Sequence, residues 1–206
     1  MNTYSSLILK SEDVLLLLTK LQNIGWTAIR EASINRILYL SAVLYSFRYP
    51  DKQNIFKDDY NFSRTLSGPE DAEIEKALIH LVNNDLVIHT YEGYVCTEIE
   101  HTTISIENYK VKEPWFDDIS YILGIYGEDK IFDFIFRDPE YKNSLESNSL
   151  FRLNIGNDND TVKYINAFKK AFENKIRDSK DKLQNKEYLR LYFEYVFGKI
   201  LRGGEF

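Results

Sequence analysis

Apolar residues recur at helical spacing along most of the chain. In "SEDVLLLLTKLQNIG", Val14, Leu17, Leu18 and Leu21 form a stripe, with Ser11 placed to cap a helix and Gly25 to stop it. A longer helix is predicted over about residues 28 to 48, where Ile34, Ile37, Leu38, Leu44 and Phe47 fall largely on one side before Pro50. "DKQNIFKDDYNFSRT" reads as a polar and aromatic loop. In "LSGPEDAEIEKALIHLVNNDLV", Ser67 and Glu70 match a capping box with Pro69 in the first turn. Ile74, Ala77, Leu78, Leu81 and Val82 then make a buried stripe. "LVIHTY" and "YVCTEIE" follow as two strands around Glu92 and Gly93, a hairpin over roughly residues 85 to 98.

Beyond Lys112 the helical pattern returns. Pro114 is expected to open a helix in which Trp115, Ile119, Ile122, Leu123 and Tyr126 keep the spacing, with Asp117 and Asp118 complementing its dipole. Phe132, Phe134 and Phe136 alternate as in a strand, but the run is short, follows a helix and ends at Asp138-Pro139, so it too reads as helix. A loop is expected through "NSLESNSLFRLNIGNDND". Two helices, about 161 to 182 and 186 to 202, close the chain. The expected fold is mainly α with a small β-hairpin. Residues 1–110 form a winged-helix-like N-terminal part, helices followed by a hairpin, and residues 111–206 form a helical C-terminal extension packed on it. No long linker marks the boundary.

Composition narrows the chemistry. Hydrophobic residues make up 44% of the 206, and aromatics 15%, with 15 Tyr and 13 Phe, enough for a globular core and for anchors at an interface. Cys96 is the single cysteine, so no internal disulfide forms. His89, Cys96 and His101 lie close in sequence, but strand alternation does not converge them, a fourth ligand is missing, and no H-x-E or C-x-x-C motif is present. No cofactor or metal is expected. Nucleophile elbow, P-loop and dinucleotide fingerprint are all lacking, so the chain reads as non-catalytic. Lys10, Glu12 and Asp13 interrupt the apolar N-terminal patches, which argues against a signal peptide or membrane span and for a cytoplasmic protein.

Charge is distributed unevenly. Between Pro69 and Lys110 nine acids (Glu70, Asp71, Glu73, Glu75, Asp85, Glu92, Glu98, Glu100 and Glu107) stand against Lys76 and Lys110, about −7 where the whole chain carries −6. Affinity for DNA comes mostly from phosphate neutralisation by Lys and Arg, so this helix and wing suit a protein partner better than a major groove. Glu73, Lys76, His80, Tyr91 and Tyr94 are the candidate contacts there, with the two tyrosines flanking the turn as anchors. From Asp160 onward eleven bases against seven acids leave the last helices mildly basic, a mixture that usually marks a solvated face. In "EYLRLYFEYVFGKIL", Leu189, Phe193, Val196 and Ile200 form one apolar side. Tyr188, Leu191, Tyr192 and Tyr195 form a second, beyond the one the chain can bury at home, and are the candidate contacts for a partner chain or a second copy of this one.

Taken together, the N-terminal helices through "INRILYLSAVLYSF", the "GPEDAEIEKALIHLVNNDLVIHTYEGYVCTE" helix-plus-wing and the helical second half resemble the small middle component of bacterial ABC-three-component systems of the Lamassu antiphage type. The resemblance implies a non-catalytic subunit beside an SMC/Rad50-like ATPase and an effector that is often a nuclease, with nucleic acid touched at most indirectly. Kleisin-interacting winged-helix subunits of SMC complexes play a comparable part. It carries over no catalytic residue. Two alternatives from the residues themselves are a winged-helix DNA-binding transcription regulator and an enzyme without a familiar motif.

Overall fold

The computed structural model of the chain describes residues 3–97, 106–146, 152–175 and 183–202. It is mainly helical, with two small antiparallel hairpins. In order the elements are α1 (Thr3–Asn23), α2 (Glu31–Arg48), β1 (Ser63–Thr65), β2 (Gly68–Glu70), α3 (Ala72–Asn83), β3 (Val87–His89), β4 (Tyr94–Cys96), α4 (Ile106–Gly124), α5 (Glu128–Ile135), α6 (Pro139–Glu146), α7 (Asp160–Lys175) and α8 (Asn185–Leu201).

Helix α2 is the centre. Every residue from Ser33 to Phe47 is buried, not only the one-sided stripe that the spacing suggests. A helix covered on all sides needs neighbours all round. β2, α1, α4, α5, α7 and α8 supply them. Ser33, Ser41, Ala42 and Ser46 keep α2 slim, and Ser41 turns its hydroxyl back to the Ile37 carbonyl at 2.8 Å. The buried Trp115 indole donates to the Ser41 carbonyl at 2.9 Å, which ties α4 to α2. One continuous apolar core runs from Val14 through Phe197, across the expected boundary at 110/111.

Several local readings are corrected. Helix α1 begins at Thr3, and Ser11, expected as its cap, lies inside it with its hydroxyl on the Leu7 carbonyl at 2.8 Å. Ser67 to Glu70 is not a capping box. Glycine at 68 takes φ +123°, closing the β1–β2 hairpin, and α3 is capped instead by Asp71, whose carboxylate accepts from the Glu73 amide at 3.0 Å. Pro114 lies within α4 and not at its start, at an exposed position. Asp118 is therefore no first-turn residue: it is buried and pairs with Arg48 at 3.1 Å and with Lys186. Part of the loop expected after Asn143 is instead the end of α6.

Two buried polar clusters brace the core. Lys10 and Asp13, which read as interruptions of the N-terminal apolar run, face inward as partners of distant residues. The Lys10 ammonium meets Asp71 at 2.7 Å, and Lys112 meets Asp13 at 2.6 Å, while the Tyr60 hydroxyl also donates to Asp13 at 2.9 Å. These links fasten α1 to the N-terminus of α3, to the 50–62 loop and to α4. At the other cluster Asp138 caps α6, accepting from the Tyr141 amide at 3.1 Å, from the Tyr39 hydroxyl at 2.6 Å and from the Thr161 hydroxyl at 2.7 Å. It has no ion-pair partner among the described residues. Burial pushes its carboxyl up to about 6, against the pull of the three hydrogen bonds.

Candidate interaction surface

The wing is a short hairpin pinned at its base and open at its tip. β3 and β4 pair with Val87 opposite Cys96, Ile88 opposite Val95 and His89 opposite Tyr94. The Thr90 amide donates to the Gly93 carbonyl at 2.8 Å, and the Thr90 hydroxyl accepts from the Glu92 and Gly93 amides, which closes the turn. Ile29, just before α2, bridges to Tyr94 in both directions, at 3.0 and 2.9 Å. Gly93 has φ +146°, and a Cβ there would lie 2.5 Å from the Ile29 carbonyl oxygen, so only glycine lets the wing seat this closely.

The two wing tyrosines are not alike. Tyr91 is 97% exposed at the tip, its hydroxyl donating to the neighbouring Glu92 at 3.0 Å. Tyr94 is 9% exposed and points inward, stacked flat on His89 with ring centres 4.3 Å apart. It holds the wing to the body, and the expectation of paired anchors is corrected to a single outward one. The signal is present in the sequence: alternation along β4 puts Tyr94 and Cys96 on the inner face. The Cys96 thiol lies against Thr19 and the Leu15 carbonyl of α1, both at 3.8 Å, and burial raises its pKa to about 11, so it is a protonated packing group at neutral pH. His101 lies outside the described residues. Among the described residues no three His, Cys, Asp or Glu side chains converge on a metal position.

Around the wing the exposed charge is acidic. Glu70, Glu75, Asp85 and Glu92 face solvent, and the exposed Lys76 is taken up by Glu73 at 2.6 Å. Glu31 joins them: burial and the nearby carboxylates of Glu75 and Glu70 raise its pKa. Asp71, counted with this group in the sequence, is instead buried against Lys10. Glu98, Glu100 and the side chain of Glu107 lie outside the described residues. Ile79 on α3 is 52% exposed and Ile88 on β3 53%, so large apolar groups stand among these acids. His80 is half-buried beside a groove of about 310 Å³ between α1 and the end of α3, lined also by Ile8, Leu15, Leu81 and Leu86.

Helix α8 overturns the expectation of an uncovered second side. Tyr188 and Tyr192 are 3% and 1% exposed. Helix α7 covers them: the Tyr188 hydroxyl donates to Glu173 at 3.1 Å, and the Tyr192 ring meets Phe168 and Tyr164 edge-on near 6 Å. Helix α5 covers the other side, with Phe134 stacked on Phe193 at 4.5 Å. Leu191 is half-buried, and Tyr195, 39% exposed, leans on Phe168 at 5.5 Å with the Lys199 ammonium over its ring. A helix apolar on most sides is here a core element between two aromatic partners. The spacing of each helix is legible in the sequence, but which of them pack together is not.

No helix among the described residues is long and apolar enough to cross a membrane. No protein family, no curated protein and no solved structure matches the chain.

Proposed function

We propose that this chain is a non-catalytic adaptor, an assembly subunit of an SMC/Rad50-like ATPase–effector complex of the antiphage, Lamassu type, acting in the cytoplasm. The observation that carries the reading is the exposed tip of the wing at Tyr91, with Ile88 on β3 and Ile79 on α3 also exposed and with Glu70, Glu75, Asp85 and Glu92 facing solvent. Exposed aromatics in a polar setting are the usual anchors of protein interfaces. An acidic surface repels phosphate, which counts against the alternative of a DNA-reading regulator.

The order of elements supports a winged-helix-like reading of the N-terminal part. Helix α1, the Ile29 bridge, α2, α3 and the β3–β4 hairpin follow in sequence, with Ile29 bridging onto β4 at Tyr94. The β1–β2 hairpin is then an insertion between the second and third helices. On this reading the wing, rather than α8, meets the partner, and nucleic acid is contacted at most through the assembled complex.

A titration of the purified chain against duplex DNA at low salt separates the adaptor from the regulator. The adaptor reading expects no saturable binding. Tight binding that weakens steeply with added salt would replace it with the regulator.

A further inference from the structure

The apolar surface of the wing continues past its base. Leu86 extends the β3 ladder, its carbonyl accepting from the Thr97 amide at 3.2 Å. Alternation puts Leu86 on the same face as Ile88, which is 53% exposed, while Val87 turns to the core. Leu86 is also one wall of the groove of about 310 Å³ between α1 and the end of α3. An apolar track thus leads from the outer face of the wing into that groove. Helical spacing builds the other walls. Ile8 and Leu15 lie on one side of α1, and Leu81 faces them from α3. Leu15 and Leu81 are buried and form the floor, whereas Ile8 and Leu86 are half-buried and reachable from solvent.

The rim is polar and of one sign. Glu12 lines the groove from α1. The exposed Asp85 stands between the lining residues Asn84 and Leu86, and among the described residues its carboxylate has no hydrogen bond or ion pair. No lysine or arginine is among the lining residues, and the cation of α3, Lys76, is held by Glu73 at 2.6 Å. The Asn84 side-chain amide donates to the His80 carbonyl at 2.8 Å, which fixes the end of α3 beside the opening. The groove is at the bottom of the range of about 300–1,000 Å³ that small-molecule sites span, and it is open along its length. It suits a side chain presented by a protein, and an apolar surface rimmed by polar groups is the usual mark of such contacts. The carboxylates repel nucleic acid and anionic lipid and attract a basic segment.

We propose that this groove seats a basic amphipathic helix of a partner protein, with leucine-like side chains against Leu15, Leu81 and Leu86 and with lysines or arginines turned to Glu12 and Asp85. A helix laid in a groove presents anchors at i, i+3, i+4 and i+7, which an elongated apolar floor between two helices can receive. The inference rests on the adaptor reading and gives its partner a chemistry, apolar and basic. It places that contact at the base of the wing, apart from Tyr91 at the tip.

The test uses the full chain with isotope-labelled isoleucine and leucine methyl groups, followed by NMR. The probe is the peptide acetyl-Lys-Leu-Ala-Lys-Leu-Leu-Lys-Ala-Leu-Lys-amide, compared with one in which every Leu is Gln and one in which every Lys is Glu. The first should give saturable shifts at the methyls of Ile8, Leu15, Leu81 and Leu86, and each of the others should bind about tenfold or more weakly. Glu12→Gln combined with Asp85→Asn should weaken binding of the first peptide about fivefold or more and barely move the melting temperature. Asparagine suits position 85, where φ is +58°. Equal binding of the Gln peptide would reduce the contact to charge alone, and equal binding of the Glu peptide would remove charge from it; either overturns the proposal. So would shifts centred away from the groove, no saturable shift up to about 1 mM peptide, or a double variant that binds as the parent does. If light scattering shows the chain by itself to be a dimer that the peptide splits, the occupant is a second copy and the choice of a partner protein is overturned. Tyr91 is not part of the groove, so failure here leaves the adaptor reading to its own test, the loss of the complex on Tyr91→Ala. Tight DNA binding, which would end the adaptor reading, leaves the peptide comparison to be read separately.

Discussion

Replacing Asp13 by asparagine isolates the charge that holds α4 to α1. The asparagine keeps the shape and can still accept from the Tyr60 hydroxyl, now at 2.9 Å, but it no longer neutralises Lys112 at 2.6 Å. Side-chain exposure at the pair is 0% and 4%, so water does not replace the lost carboxylate. Breaking a buried pair from one side costs about 3–5 kcal/mol. Asp59, 3.8 Å from the Lys112 ammonium, compensates in part, which places the expected loss near the lower end, about 3 kcal/mol. For a chain of 206 residues that corresponds to roughly 6–12 °C in melting temperature. Urea denaturation followed by circular dichroism measures it, with an unchanged slope showing that compactness is retained. A triple variant, Asp13→Leu with Tyr60→Phe and Lys112→Met, should recover most of the loss, because a well-packed apolar replacement removes both charges together. A single-variant loss under about 1 kcal/mol would refute the reasoning, since Lys112 would then have another way to be neutralised.

Other changes have equally definite outcomes. Gly93→Ala should destabilise by about 2–4 kcal/mol, through a left-handed backbone and a clash with the Ile29 carbonyl, and a denaturation midpoint near that of the parent would contradict the close seating of the wing. Tyr91→Ala should change stability by no more than about 0.5 kcal/mol yet weaken complex assembly, whereas Tyr94→Ala should cost about 3 kcal/mol in the isolated chain; thermal melts and pull-downs of both variants check this split. Asp138 gives a pH signature. Its folded pKa of about 6 lies above the ordinary 3.8, so between the two the folded state holds the proton more tightly. Stability from this group is therefore greatest at low pH, falls as pH rises from about 4 to about 6, and is then level, a difference of about 3 kcal/mol. Asp138→Asn should remove that fall, and parallel stability–pH curves for parent and variant would show that the carboxyl does not titrate there.

The parts legible in the sequence are those fixed locally. The apolar stripe of α3, the turn at Glu92–Gly93 and the helical spacing of α5 and α8 all appear where periodicity puts them. What stays hidden depends on distant partners. Lys10 and Asp13 look like surface charges until Asp71 and Lys112 are brought to them from 61 and 99 residues away. The S-x-x-E pattern at Ser67 mimics a helix start, but the cap goes to Asp71, which is also held by Lys10 and by the Asn61 amide at 2.8 Å. Tyr188 and Tyr192 look unsatisfied because nothing local says that α7 lies over them. Tyr91 against Tyr94 is decidable from strand alternation, and reading both only as aromatics near a turn misses it.

The central claim is that this chain joins other proteins through its wing. It is tested most directly by co-expressing the tagged chain with the products of the genes beside its own and measuring the mass of what co-purifies. A stable assembly of defined stoichiometry with an ATPase that has a long coiled coil, lost on Tyr91→Ala while the variant stays folded, is the result expected. Recovery of the chain alone with such an ATPase present, or an assembly indifferent to Tyr91, would contradict the account.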